Sequence, residues 1–261
     1  MTKQLIKQTL VASIALMAVQ SASAHITYTN RNFGTFLGDG SDAPVTIPGQ
    51  TVSGNFGWAD ATDADFGDSH RTRAFRFKLL QEALVTLSVQ GVVGATNATN
   101  FLPAFSIYAG LAHIAPSLAD HDGTVISVAY LNSLGGVPKE GALVALGDWK
   151  IGNDDDLVNN IPASLSSLIY MGHAADGSAA NYGPAVGING DGIADNYVTG
   201  TFDLPAGDYS IFIGGADYST QGPGPYSTYA ITPTIKVVPE PSTVALIVIS
   251  SLGLFGRRRR G

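Results

Sequence analysis

Hydrophobic and polar residues alternate with period two along most of the chain from Asn55 onward. Phe75, Phe77 and Leu79 are interleaved with Ala74, Arg76 and Lys78. Val85, Leu87 and Val89 are interleaved with Thr86 and Ser88. Each set predicts a half-buried strand, and Leu80 to Ala83 has the length of a hairpin connection. Phe105 and Ile107 alternate with Ser106 and Tyr108, and Ile126, Val128 and Tyr130 with Ser127 and Ala129, predicting two more strands. Phe202 and Leu204 flank Asp203, and Leu204-Pro205-Ala206-Gly207-Asp208 is turn chemistry. Tyr209, Ile211 and Ile213 then share one face, and Tyr229, Ile231 and Ile235 follow, with Pro233 arguing for an edge strand. Leu131 to Ser178 reads as a less regular middle, with a turn at Gly135 to Pro138 and a short helix start at Asp154, Asp155 and Asp156. Short, frequent strands rich in β-branched and aromatic residues predict an all-β, antiparallel, jelly-roll-like β-sandwich.

Composition supports that class. Among 261 residues there are 31 glycines, 13% charged residues and no cysteine, so an exported domain would have no disulfides to lean on. Hydropathy and charge mark off both ends. Residues 1–24 read as a secretory signal. Lys3 and Lys7 form the basic start, Leu10 to Val19 is an apolar stretch too short to span alone, and Ala22-Ser23-Ala24 offers small residues for signal peptidase. At the other end, Val238-Pro239-Glu240-Pro241-Ser242-Thr243 leads into an uncharged run from Val244 to Phe255 and then Arg257, Arg258, Arg259 and Arg260. The two prolines favour an extended, exposed spacer. The apolar run, about 18 Å as helix against a hydrocarbon core of about 30 Å, is short for a span, so a membrane helix over 243–256 with snorkelling arginines is expected. The arginines should stay cytoplasmic. With the ends set aside, residues 25–238 are the domain proper, and their net charge is −12. That balance repels nucleic acid and anionic membrane and can attract divalent cations.

Residues 239–261 resemble the PEP-CTERM sorting signal of Gram-negative bacteria. Pro239, Glu240 and Pro241 match its Pro-Glu-Pro motif, 244–255 its membrane segment and Arg257 to Arg260 its basic stop. The resemblance implies recognition by an exosortase, cleavage near Pro-Glu-Pro, a transient stay in the inner membrane and transfer to the cell surface or extracellular matrix. Inside the domain, Phe75-Arg76-Phe77-Lys78-Leu79, the Val85 to Val89 strand, Phe105 to Ala109, Asp120-His121-Asp122-Gly123 and Leu204 to Tyr209 follow in order. This series looks like the bacterial pre-peptidase C-terminal domain, a jelly-roll sandwich of secreted proteins. That likeness implies a non-catalytic module, of a kind that in some members binds calcium and matrix polymers.

Three groups of residues carry candidate chemistry. Asp60, Asp63, Asp65 and Asp68 lie in the loop before the Phe75 strand, and several carboxylates in one loop can supply the six to eight oxygens of calcium. Asn189, Asp191 and Asp195, with Gly192, resemble the middle of an EF-hand loop. Gly187 and Val198 stand where its first and last acidic ligands belong, and a plain polar turn is the competing reading. His25, the residue left at the N-terminus by cleavage after Ala24, could chelate copper with His70, His113, His121 or His173 as partner, in the manner of the histidine brace of polysaccharide-cleaving oxygenases. No Gly-x-Ser-x-Gly, P-loop or His-Glu-x-x-His motif is present. Trp58, Tyr108, Trp149, Tyr218 and Tyr226 could stack on sugars, but most should be core or edge packing. The sequence therefore predicts an exported, exosortase-processed, calcium-stabilised surface or matrix protein with extracellular polysaccharide as a possible partner. Its rival is a secreted polysaccharide-active enzyme that uses copper at His25.

Overall fold

The computed structural model describes residues 26–59, 67–92, 100–113, 125–134, 141, 143–153 and 163–240. Among them the chain forms β1 (Asn32–Phe36), β2 (Val45–Thr46), β3 (Gln50–Ser53), β4 (Arg73–Leu79), β5 (Ala83–Gly91), β6 (Pro103–Ala109), α1 (Val125–Ser133), β7 (Trp149–Asn153), β8 (Ser164–Ala175), β9 (Tyr197–Leu204), β10 (Gly207–Gly215) and β11 (Thr228–Pro239). One sheet has the order β1-β4-β10-β6-β8-β7. The other has the order β2-β11-β5-β9, with β3 also pairing to β11. All pairings are antiparallel except β1 with β4. The predicted all-β sandwich is the observed fold. The signal segment, Pro241, the apolar run and Arg257 to Arg260 lie outside the described residues, as do Gly135 to Pro138 and Asp154 to Asp156. Among the described residues no helix is long and apolar enough to cross a membrane.

The alternating residues do face a shared core. Phe75, Phe77, Leu79, Phe105, Ile107, Tyr209, Ile211 and Ile213 of the first sheet meet Val85, Leu87, Val89, Val198, Leu204, Ile231, Ile235 and Val237 of the second. Rings lock the layers. Phe105 and Phe202 meet edge to face across the layers at 6.0 Å, while within the first sheet Phe77 stacks on its cross-strand neighbour Tyr209 at 4.9 Å. Gly172 of β8 has φ +151, and a Cβ there would lie 2.5 Å from the Phe202 ring, so glycine lets that ring approach the backbone.

Four expectations are corrected. Leu80 to Ala83 is not a hairpin, because β4 and β5 belong to opposite sheets and the segment crosses between them. Val125–Ser133 is a helix rather than a strand, with Ser127 and Leu131 buried four residues apart on one face. The Ser127 hydroxyl accepts the Gly152 N–H at 2.9 Å and pins α1 to the middle of β7. The less regular middle contains β7 and the twelve-residue β8. Finally, β11 is an inner strand. Pro233 is tolerated there because it falls between the residues that pair with β3 and those that pair with β2, and its carbonyl on that side accepts only the Ile47 N–H, at 3.0 Å.

Leu87 is fully buried at the centre of the shared core, whereas Ser88 faces outward. Leu87→Ala should therefore cost about 2–5 kcal/mol in chemical denaturation. Ser88→Ala should change stability by under about 0.5 kcal/mol.

Candidate functional site

The chain's main gathering of chemistry lies where β8 leaves the sandwich. The strand ends Ala174-Ala175, and the next residue, Asp176, is fully buried. Its backbone N–H donates to the Pro103 carbonyl at 2.9 Å, so the sheet edge fixes its position. The segment from Gly177 to Asn196 then loops out and returns to start β9. Its return is tied to Asp176, whose carboxylate accepts the Asp195 N–H at 3.1 Å and the Asn196 N–H at 2.7 Å. Asp191 folds back the same way, accepting the Gly177 and Ile193 N–H groups at 3.1 and 3.0 Å. The carboxylates of Asp176, Asp191 and Asp195 thus come within 4.8 Å of one another.

Burial pushes the Asp176 carboxyl up to about 6, and the charges of Asp191 and Asp195 add to that, while the two backbone N–H bonds oppose it. Tyr182, also buried, donates to the Asp176 carbonyl at 3.1 Å, and its hydroxyl is held well above its ordinary range by burial and then by Asp191 and Asp176.

A groove of about 260 Å³ runs beside this cluster, lined by His173, Asn189, Asp191 and residues 198–202 of β9. His173 sits with its ring 5.6 Å from that of Trp58. Burial lowers its pKa, favouring the neutral imidazole. Its Nε2 accepts the Asn189 N–H at 2.8 Å, so Nδ1 carries the proton and bonds the Tyr170 hydroxyl.

The structure brings Asp191 and Asp195 together, as the loop reading expected, but replaces Asn189 with Asp176 as their neighbour. Asn189 instead gives its N–H to His173. Asp60, Asp63 and Asp65 lie outside the described residues. Asp68 is engaged within its own turn. It accepts the His70 N–H at 2.9 Å and faces the Arg71 guanidinium at 3.4 Å. Burial alone would raise its pKa, but the hydrogen bond and charge of His70 and the charge of Arg71 hold it below the ordinary carboxylate value. His25 and His121 lie outside the described residues, and His70 Nδ1 stands 3.4 Å from Asp68. Among the described residues no histidine shares a three-ligand group with other potential metal donors.

Trp58, Tyr108 and Trp149 are buried and offer no face to a sugar. The Tyr226 ring is covered by Arg71 at 3.8 Å. A second acidic group joins Glu82, Asp203 and Glu240 of the Pro-Glu-Pro motif, all exposed, within 4.8 Å. Sequence reasoning missed Asp176. Its only local signal is a lone acid straight after two alanines that end a strand.

Residues 237–260 match the PEP-CTERM protein-sorting motif. No curated protein matches the chain in sequence. Solved structures share its fold. The surface-associated copper-binding protein CorA of Methylomicrobium album BG8 aligns with a TM-score of 0.50 at 15% identity, covering 82% of this chain and 99% of that one. The secreted protein MopE of Methylococcus capsulatus, in which an oxidized tryptophan facilitates copper binding, aligns at 0.41 and 16% identity over 80% of this chain and 87% of its own.

These findings correct two expectations. The body is a β-rich fold similar to these proteins and not specifically a pre-peptidase C-terminal domain. The calcium expectation that went with it falls as well, because CorA, a solved structure with this fold, is a copper-binding protein. The first acidic loop falls mostly outside the described residues, and in the second Asp176 takes the place expected of Asn189 beside Asp191 and Asp195.

The raised pKa of Asp176 has a direct consequence. Its folded value of about 6 lies above the unfolded carboxylate value of about 3.9, so the native state binds the proton more tightly. The destabilisation it causes is full above about pH 6 and is relieved as pH falls toward 4. In chelator, melting temperature is expected to rise between pH 7 and pH 5. In Asp176→Asn that rise should shrink, as differential scanning calorimetry at the two pH values would show.

Proposed function

We propose that this chain is an exosortase substrate displayed at the cell surface, where its sandwich acts by binding rather than by catalysis. The observation that carries this reading is the match of residues 237–260 to the sorting motif, starting within the last strand of the sandwich. Export and surface association fit that motif and the surface-associated neighbour with the same fold. The cells to test are those that possess an exosortase. There, protein recovered from the surface should lack Arg257 to Arg260 by intact mass. Recovery of the complete tail on all mature protein would overturn the reading.

Copper is the ligand we propose, and one observation favours it: CorA, which shares this fold, binds copper. In this chain His173 is the donor best suited to the role. Its imidazole is favoured in the neutral, ligating form, and it lines the same groove as the Asp191 carboxylate. The fit has a cost, because Nε2 is occupied by the Asn189 N–H. Copper at this nitrogen must displace that hydrogen bond, which predicts modest affinity and a shift of the 187–191 turn. A paramagnetic ion there would lie beside the Trp58 ring and quench its fluorescence. Titration with copper should therefore quench wild-type protein, quench Trp149→Phe equally, and leave His173→Ala unquenched. The rival enzyme reading predicts another pattern. Binding would disappear in His25→Ala and come with oxidative cleavage of a polysaccharide.

A further inference from the structure

The Pro-Glu-Pro motif does not hang free of the domain. β11 runs through Val237, Val238 and Pro239, which pair with Val85, Leu84 and Ala83 of β5. Val237 is buried in the shared core. Pro239 also lies over the loop between β1 and β2, where a Cβ on Gly40 would stand 3.3 Å from its Cδ and Cγ. Gly40 has φ +92, and the turn is held by Asp42, which accepts the Leu37 and Gly38 N–H groups at 2.9 and 2.6 Å. The first proline of the motif is therefore also the last residue of β11.

The chain leaves the sheet at the next residue. Glu240 is exposed and crowded by Glu82 and Asp203, with the three carboxylates within 4.8 Å. Its side chain hydrogen-bonds that of Asp203, but no ladder partner holds its backbone.

We propose that the fold sets the processing boundary: the exosortase cut falls C-terminal to Glu240, and the mature protein keeps Pro239 as the end of β11. This rests on the exosortase reading above. The physical reason is access. A protease binds its substrate as an extended strand whose backbone groups must be free for the enzyme. Residues 237–239 are already paired along one side with β5, and Pro239 has no N–H to offer on the other. Cutting at or before Pro239 would require the end of β11 to be stripped from its partner, exposing Val237 and opening the core. Glu240 has no ladder partner, so a cut after it breaks no strand pairing among the described residues.

Two measurements test the boundary separately. The first is C-terminal mapping of surface-recovered protein by mass spectrometry. A chain that ends at Glu240 or later supports the proposal. One that ends at Pro239 or earlier overturns it while leaving the exosortase reading intact. One that retains Gly261 overturns both. The second needs no exosortase. Full-length protein in detergent micelles is treated with proteinase K, which has little sequence preference. Trimming should stop at or beyond Glu240. Gly40→Val, which pushes a side chain against Pro239 at a backbone angle that disfavours it, should let trimming advance into 237–239. Wild-type protein trimmed to Val237 or earlier at native temperature would overturn the proposal.

Discussion

Ser106 and Ser210 sit in the middle of a sheet on the side away from the sandwich core, yet both are completely buried. β6 and β10, which carry them, are covered on both faces, and this constraint organises much of the molecule. A buried hydroxyl left without a partner costs about 1–3 kcal/mol, so the covering layer must supply partners. Ser106 accepts the Trp58 indole N–H at 2.8 Å and donates to the Ala145 carbonyl at 2.6 Å. Ser210 meets the Tyr28 hydroxyl and donates to the Gly110 carbonyl, both at 2.7 Å. Tyr108 donates to the Val144 carbonyl. Around these bonds pack Ile26, Ala112, Leu143, Trp149, Leu168 and Phe212. The segments at 26–31, 56–59, 110–112 and 143–146 are thus held at fixed points on the outer face. Two sheets with such a cover make a three-layered body.

The candidate site belongs to the margin of this cover. Trp58, Ala175 and Tyr182 form one small cluster with Leu102, Ala145 and Ala216, just where β8 exits. Asp176 is buried there because the cover closes over it, and its carboxylate substitutes for ladder partners by taking two backbone N–H groups of the returning loop. Its raised pKa and its structural role have one origin. Removing water around a carboxylate disfavours its charge, and the same burial makes its hydrogen bonds strong enough to close a twenty-residue excursion.

Much of the architecture was legible because one face of most strands is core. Alternation names the residues that point inward, and Phe75, Val85, Tyr209 and Ile231 do so. It does not name the sheet. Both inner faces bury the same kinds of residue in the same core, so the β4–β5 crossover looks like a hairpin in sequence. Val125–Ser133 misleads for a related reason. A nine-residue stretch with three β-branched side chains fits either period, and as a helix it docks on β7 through the Ser127 contact with Gly152. β1 breaks the period itself, with a register shift between Asn32 and Thr35 that sets Phe33 and Phe36 three apart. The site was half legible. Asp191 and Asp195 stood out as a polar, glycine-rich run. Asp176 did not, because its meaning comes from contacts 15 to 20 positions away that no local pattern encodes.

The sorting motif shows the same interplay at the end of the domain. Read as sequence, Pro239 and Pro241 frame a spacer. In the structure the spacer begins one residue later, because a proline that needs no N–H partner can end a strand as well as begin a linker. On the proposed reading, only Glu240 to Ser242 separate the last paired residue of β11 from the start of the apolar stretch at 243, a reach of about 10 Å fully extended. A folded domain on so short a tether would stand against the membrane surface. The net charge of −12 between His25 and Val238 then acquires a role. An acidic body is repelled by anionic lipid headgroups, so on that reading its charge would draw the domain away from the membrane. Folding of β11 and presentation of the motif are in this way two effects of one boundary. On the proposed reading, the end of the strand is also the end of the mature protein.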